Sequence, residues 1–272
     1  MKKWIYYSLM GLFAAVFVVA AVMLIVYFSA SKKQEKVYHA LSDIHQQAMA
    51  ETPEIPVLPD GTPDPESIWV TVTHPKTGAQ QQILPEFIQL YAMNPDIVGW
   101  ITIPGTKVDY PVMQSPQSPD YYLKRNFHKE KASHGAIYAR EQCDFLTPSD
   151  NVTIYGHRMK DGSMFADLSS YTQKNFWETH KTIELSTLQN RYTYEIFAVF
   201  QTTASMGKGF KYHSFIDAVV EEEFDEFVKM CQQLSFYDTG ITPQYGDNLI
   251  TLSTCEYTQT NGRLVVVARR IN

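Results

Sequence analysis

Between Lys3 and Lys32 the chain carries no charged side chain, and nothing else in its 272 residues restricts the fold as severely. At about 1.5 Å per helical residue, the run 4–30 is longer than the roughly 30 Å hydrocarbon core of a bilayer. A membrane span follows. The competing reading, a secretory signal peptide, has an apolar centre of only about 7–15 residues ending at a small-residue cleavage site. An uncleaved anchor fits the length better, while Phe28-Ser29-Ala30-Ser31 leaves cleavage open. Lys2 and Lys3 stand on one side of the span and Lys32, Lys33 and Lys36 on the other, so the positive-inside count does not orient it.

The remainder is long enough for one well-filled domain and short for two. A net charge of −6 and a pI near 5.7 give no sign of a broad basic surface of the kind that nucleic acid favours, and no nucleic-acid partner is expected. Cys143, Cys231 and Cys255 are too few and too scattered for a disulfide framework, and at least one thiol stays free of intramolecular pairing. The sequence has neither an HExxH motif nor a paired CxxC motif, so no metal and no cofactor is expected.

After the span, residues 34–51 read as a polar helix with Val37, Leu41, Ile44 and Ala48 on one stripe, a face that must lean on something. Pro53, Pro56, Pro59, Pro63 and Pro65 then forbid a continued helix and favour an extended stalk or wrapping linker. From Ile68 the texture changes to short β-branched and aromatic runs between Pro, Gly and Asn, the signal of an all-β sandwich or barrel. Candidate strands are 98–103, 136–139, 152–155, 182–185, 192–200, 248–253 and 263–269. Two helices interrupt them. One runs over 85–93, with Pro85 at its first position. The other spans 215–234, with Phe215, Val219, Phe224, Phe227, Val228 and Cys231 sharing a face and Glu221, Glu222, Asp225 and Glu226 turned outward. No internal repeat is visible. The organisation expected is an anchor at 1–33, a helical and proline-rich stalk at 34–67 and one mainly β domain at 68–272.

Three residues invite a chemical reading. Cys255 follows the apolar strand Asn248-Leu-Ile-Thr-Leu-Ser-Thr, where a side chain is rigidly held yet reachable. Its segment alone serves equally well for a small buried cysteine. Arg263 opens the run Leu264-Val-Val-Val-Ala268, and if that run is the next strand, the turn 258–262 folds it back beside Cys255. There it could favour a thiolate and donate to an oxyanion, although an isolated strand-end arginine is more often merely solvated. His157 ends the short strand Asn151-Val-Thr-Ile-Tyr155-Gly156 and can carry protons near neutral pH. Its position after a strand, matching that of Cys255, sets it apart from the other histidines.

Together these residues resemble the sortase family, whose recurring signature is the strand-borne Thr-Leu-Ser-Thr-Cys255, the Arg263 after it and the Tyr155-Gly156-His157. The resemblance extends to Asn94-Pro-Asp-Ile-Val-Gly-Trp100-Ile-Thr-Ile-Pro-Gly-Thr106, to Asp109-Tyr-Pro-Val and to Tyr122-Leu-Lys-Arg-Asn-Phe127, and covers the chain from about residue 84 to 271. The amphipathic stretch 215–234 sits where class B members carry an extra helix before the cysteine strand. Pilus-polymerising members commonly carry a second, C-terminal membrane segment, so the end of this sequence straight after its last strand makes a pilus role the lesser expectation.

The resemblance implies a sortase-type β-barrel with N-terminal helices. It also implies a cysteine transpeptidase that cuts a C-terminal sorting motif of secreted proteins and passes the acyl group to a cell-wall precursor amine. Cys255 would be the nucleophile, His157 the proton carrier and Arg263 the electrostatic partner. Ser253, Glu256 and Leu123 would line the substrate groove, each with an ordinary alternative as strand end, solvated turn acid and core residue. Class B motifs resemble Asn-Pro-x-Thr-Asn or Pro-Pro-x-Thr-Gly, with the deciding residues between 203 and 240. An exported substrate places the catalytic domain outside the cell on a single-pass anchor. Cys143 and Cys231 are left as packing residues. The rival readings are a cysteine peptidase that uses water and a non-catalytic surface binding module with the same barrel.

Overall fold

One helix, α1 (Lys2–Glu51), runs unbroken through the apolar span and the polar segment after it. The computed structural model describes residues 2–115, 118–205, 208–256 and 261–272, with the side chains of Lys2 and Glu256 outside the description. The first part of α1 is bare: Phe13, Phe17 and Ile25 are exposed, and the helix is long and apolar enough to cross a bilayer. From Ser31 onward one face goes under cover. Ser31, Gln34, Tyr38, Leu41 and His45 are buried, and Val37, Ile44 and Ala48 are half-buried beside them. Steps of three and four residues keep all of these on one side. The stripe read from the sequence is therefore flanked by a more deeply covered, partly polar one. Two of its polar members find hydrogen-bond partners: Asn126 Nδ2 donates to Gln34 Oε1 at 3.1 Å and Tyr38 donates to the Gly135 carbonyl at 2.6 Å, while His45 stacks on Trp100 with ring centroids 4.2 Å apart and its Nε2 is buried without a hydrogen bond.

Strands β1 (Val70–Thr73) and β2 (Gln80–Ile83) form a separate antiparallel hairpin. The expected helix over 85–93 divides into a 3-10 turn, Pro85–Phe87, and the short α2 (Ile88–Met93). Glu86 in that turn is fully buried and accepts from Arg191 Nε at 2.8 Å.

Eight strands make the domain proper: β3 (Ile97–Thr102), β4 (Asp109–Met113), β5 (Ile137–Ala139), β6 (Asn151–Tyr155), β7 (Thr182–Thr187), β8 (Arg191–Thr203), β9 (Leu249–Glu256) and β10 (Gly262–Arg270). They close into a barrel in the order β10-β8-β7-β3-β4-β5-β6-β9, so none of the eight is left as an open edge. The contacts β4–β5 and β6–β9 are parallel and the others antiparallel. Each strand read from the sequence is present, with no end shifted by more than three residues.

Two further helices, α3 (Lys174–Thr179) and α4 (Glu221–Leu234), lie outside the barrel. The continuous apolar run of β10 is explained by α4. Leu264, Val266 and Ala268 face the main core, and Val265 and Val267 face Phe224, Phe227, Val228 and Cys231 of the helix. A strand covered on both sides loses its polar alternation. The helix begins at Glu221 and not at 215, which corrects the sequence reading. Residues 215–218 are tied to the end of the barrel by Asn151 Nδ2 donating to the Phe215 carbonyl and Ala218 N donating to Asp150 Oδ2. The three glutamates 221–223 then suit the positive end of the helix dipole. Val219 is accordingly 84% exposed. Phe215 nevertheless joins the apolar face, stacked on Phe227 at 4.3 Å.

Candidate active site

Register alone brings three distant residues together. Strands β6 and β9 run parallel with Tyr155 opposite Ser253, so two residues further on His157, just past β6, and Cys255, near the end of β9, stand at the same level of the barrel rim. On the other side of β9, antiparallel pairing sets Arg263 directly opposite Cys255. Most of the connecting turn lies outside the described residues, but the juxtaposition that it was expected to produce is present.

Gly156 makes the turn off β6 possible. Its N–H donates to the Ser253 carbonyl at 3.1 Å, and a Cβ there would stand 2.5 Å from Ile137 Cδ1 and 2.6 Å from Phe165 Cδ2. Contacts that short force the neighbours apart, so the position requires glycine for the close approach. His157 Nε2 lies 2.7 Å from the Leu123 carbonyl, which can only accept, so that nitrogen carries its proton and donates.

The side chains of His157 and Cys255 also interact, and the two groups shift each other in opposite directions. The bond to Cys255 raises the imidazole above its ordinary pKa, against partial burial and with help from the Leu123 carbonyl. The same bond lowers the Cys255 thiol, against partial burial and with help from the charge of Arg263. The other cysteines go the opposite way: burial pushes Cys143 up to about 11 and Cys231 well above its usual value. Of the three, Cys255 is the one whose surroundings favour the nucleophilic thiolate. The Arg263 guanidinium is fixed by its own turn, Nη1 donating to the Gly262 carbonyl at 2.9 Å and to that of Asn261 at 3.3 Å.

These groups open onto a groove of about 350 Å³ lined by Leu123, Tyr138, Arg140, Tyr155, Tyr212, Ser253 and the three residues themselves. That volume lies within the usual range for ligand sites. Ser253 is buried, its hydroxyl 2.6 Å from that of Tyr212. Leu123 reaches the groove half-buried and supplies its carbonyl to His157. The side chain of Glu256 lies outside the described residues. Two groove residues carry no mark in the sequence: Tyr212, which falls in an irregular stretch without periodicity, and Tyr138, whose hydroxyl donates to Asp120 at 3.0 Å across the groove wall. Their aromatic character alone did not separate them from core residues. Among the described residues no group of three His, Cys, Asp or Glu converges as a metal site requires.

An acidified thiol hydrogen-bonded to an imidazole, beside a fixed cation at the mouth of a groove, is the equipment of acyl transfer through a thioester. The barrel and its rim thus define a cysteine enzyme. A family profile described as a sortase domain matches residues 101–271. Sortase B of Listeria monocytogenes is 37% identical over 199 residues, covering 72% of this chain and 78% of the relative. A Staphylococcus aureus sortase B–substrate complex superimposes with a TM-score of 0.72 at 27% identity, over 89% of this chain and 98% of the other. A sortase B complexed with triglycine gives a TM-score of 0.71 at 27% identity, over 89% and 99%. The chain belongs to the sortase family and is a cysteine transpeptidase of the class B type.

Proposed function

We propose that this protein is a membrane-anchored transpeptidase with its catalytic domain outside the cell. It cleaves a C-terminal sorting motif of secreted proteins and transfers the acyl group to a cell-wall precursor amine. The observation that carries the reading is the meeting of Cys255, His157 and Arg263 at one rim, with the thiol lowered and the imidazole raised. The relatives that bind a substrate and triglycine support a peptide donor and an amine acceptor. Residues 1–33 act as the anchor, 34–67 as the segment that seats α1 on the barrel and leads into it, and 68–272 as the catalytic domain.

In this mechanism the Cys255 thiolate attacks the scissile carbonyl, and the Arg263 guanidinium faces the negative charge that develops on its oxygen. His157 protonates the departing amine as the intermediate collapses to a thioester. The acceptor amine then attacks the thioester, His157 takes its proton and the Cys255 thiolate leaves. Ser253, Glu256 and Leu123 contribute to the groove that holds the peptide.

The deciding experiment is mass spectrometry of the full chain in detergent with a set of sorting-motif peptides, with and without triglycine. The reading requires an acyl adduct on Cys255 and, with triglycine, a new amide. Hydrolysis that no amine alters would instead make the protein a peptidase. A protein whose Cys255 is alkylated normally but acylated by none of the peptides would count against peptide transfer.

A further inference from the structure

The chain is acidic overall, with 29 Asp and Glu against 23 Lys and Arg, yet its basic residues are unevenly placed. Segments 31–36 and 124–131 together hold seven Lys or Arg and only two acids, Glu35 and Glu130. Far apart in sequence, they meet in the fold where α1 leaves its apolar span. Lys33 pairs with Glu130 at 3.1 Å, and Asn126 donates to Gln34. A third segment joins them: Ser31, the first buried residue after the span, hydrogen-bonds Asp161, next to the exposed Lys160.

The acids of this face are largely engaged. Asp161 accepts from Ser31 and Ser163 and pairs with His134 at 2.8 Å; Glu130 is held by Lys33; Asp96 is held by Lys129 at 2.7 Å. Lys32, Lys36, Lys124, Lys131 and Lys160 remain exposed around the helix, with Glu35 among them. The result is a concentrated positive field at the level where the apolar span ends.

We propose that this face docks on an anionic lipid surface, the headgroups of the bilayer that α1 spans, and holds the Cys255 groove against the membrane. The inference rests on the reading of α1 as an anchor and goes beyond it, because a tether alone leaves the barrel free to stand in any orientation. Here α1 passes from span to docked segment without a break, so the barrel is fixed at the height of Ser31. The groove cannot be far away. His157 lies four residues before Asp161, a separation of at most about 14 Å along even a fully extended chain. Leu123, which accepts from His157, lies three residues before Asn126. One side of the groove wall, Leu123 and His157, therefore shares its two loops with the basic face, and attraction acting on that face within a Debye length of the surface carries the groove with it as part of one barrel.

The test uses the full chain in nanodiscs of phosphatidylcholine alone or mixed with phosphatidylglycerol. Lysine acetylation rates are read residue by residue by mass spectrometry. Docking predicts several-fold slower acetylation of Lys124, Lys131 and Lys160 in the anionic discs and loss of that difference at high salt, while Lys229 on α4 reacts alike in both. Equal rates at the three lysines in the two lipids would overturn the docking. Alkaline carbonate extraction of reconstituted vesicles separates the two readings. A chain released by carbonate is not anchored and the docking falls with the anchor, whereas a retained chain with lipid-independent lysines is anchored but undocked.

Discussion

Cys255 owes its reactivity to two neighbours that act differently, and substitutions separate them. The hydrogen bond from His157 is the leading cause of its lowered pKa, with the charge of Arg263 behind it. Alkylation of Cys255 should therefore follow a pH profile with its midpoint below the roughly 8.5 of a free thiol. In His157→Gln the midpoint should rise, because the thiolate loses its strongest partner, and acyl transfer should fall by about 10²–10⁴ as the proton carrier disappears. A midpoint unmoved by this substitution would break the assignment of His157. Arg263→Lys keeps the charge and loses the planar fork. Its alkylation midpoint should stay near that of the parent, while the transfer rate drops about tenfold or more. Both residues were visible in the sequence as strand-end groups. Tyr212 was not, since nothing in an irregular segment marks a hydroxyl that will meet Ser253.

At the scale of the element, the turn from β6 into the site leaves no room for a side chain. Gly156→Ala puts a methyl group against Ile137 and Phe165, and the neighbours give way only by moving the turn. A loss of about 1–3 kcal/mol is expected, read as a lower Tm, with a fall in transfer rate because His157 is the next residue. A variant with unchanged Tm and full activity would show that the turn relaxes freely. The elements themselves were legible where periodicity is strong: β8, β9 and β10 are long, apolar and bounded by turn residues. The start of α4 was misread because Phe215 belongs to its apolar face without belonging to the helix, a grouping that spacing cannot separate from helical continuation. The strand β4, with Pro111 inside it, gave no periodic signal, and its residues entered only as part of the family resemblance.

On the scale of the whole molecule, α1 and the barrel form one body, and a buried histidine reports on their union. His45 lies on Trp100 with its pKa lowered to about 4, chiefly by burial. The folded state resists its protonation, so stability is fully present above the ordinary imidazole value and declines as pH falls from about 6.5 towards 4. Between pH 7 and 4.5 this one group should cost about 2 kcal/mol. His45→Phe keeps a ring on Trp100 and removes the titration, so thermal unfolding of the variant should lose less stability than the parent over that interval; equal losses would place His45 outside the linkage. The sequence could reveal that 34–51 is amphipathic, but not that it continues the span without a joint, since no residue at 30–34 encodes or forbids a break. Nor could it give the pairing of β6 with β9, a parallel contact between segments remote in the chain. That contact has a consequence for timing. Until the last strands are laid beside β6, His157 and Arg263 are not both at the side of Cys255, and the chain carries three ordinary thiols. The nucleophile is armed by completion of the barrel, so the topology serves as its own safety catch and half-made protein is chemically quiet.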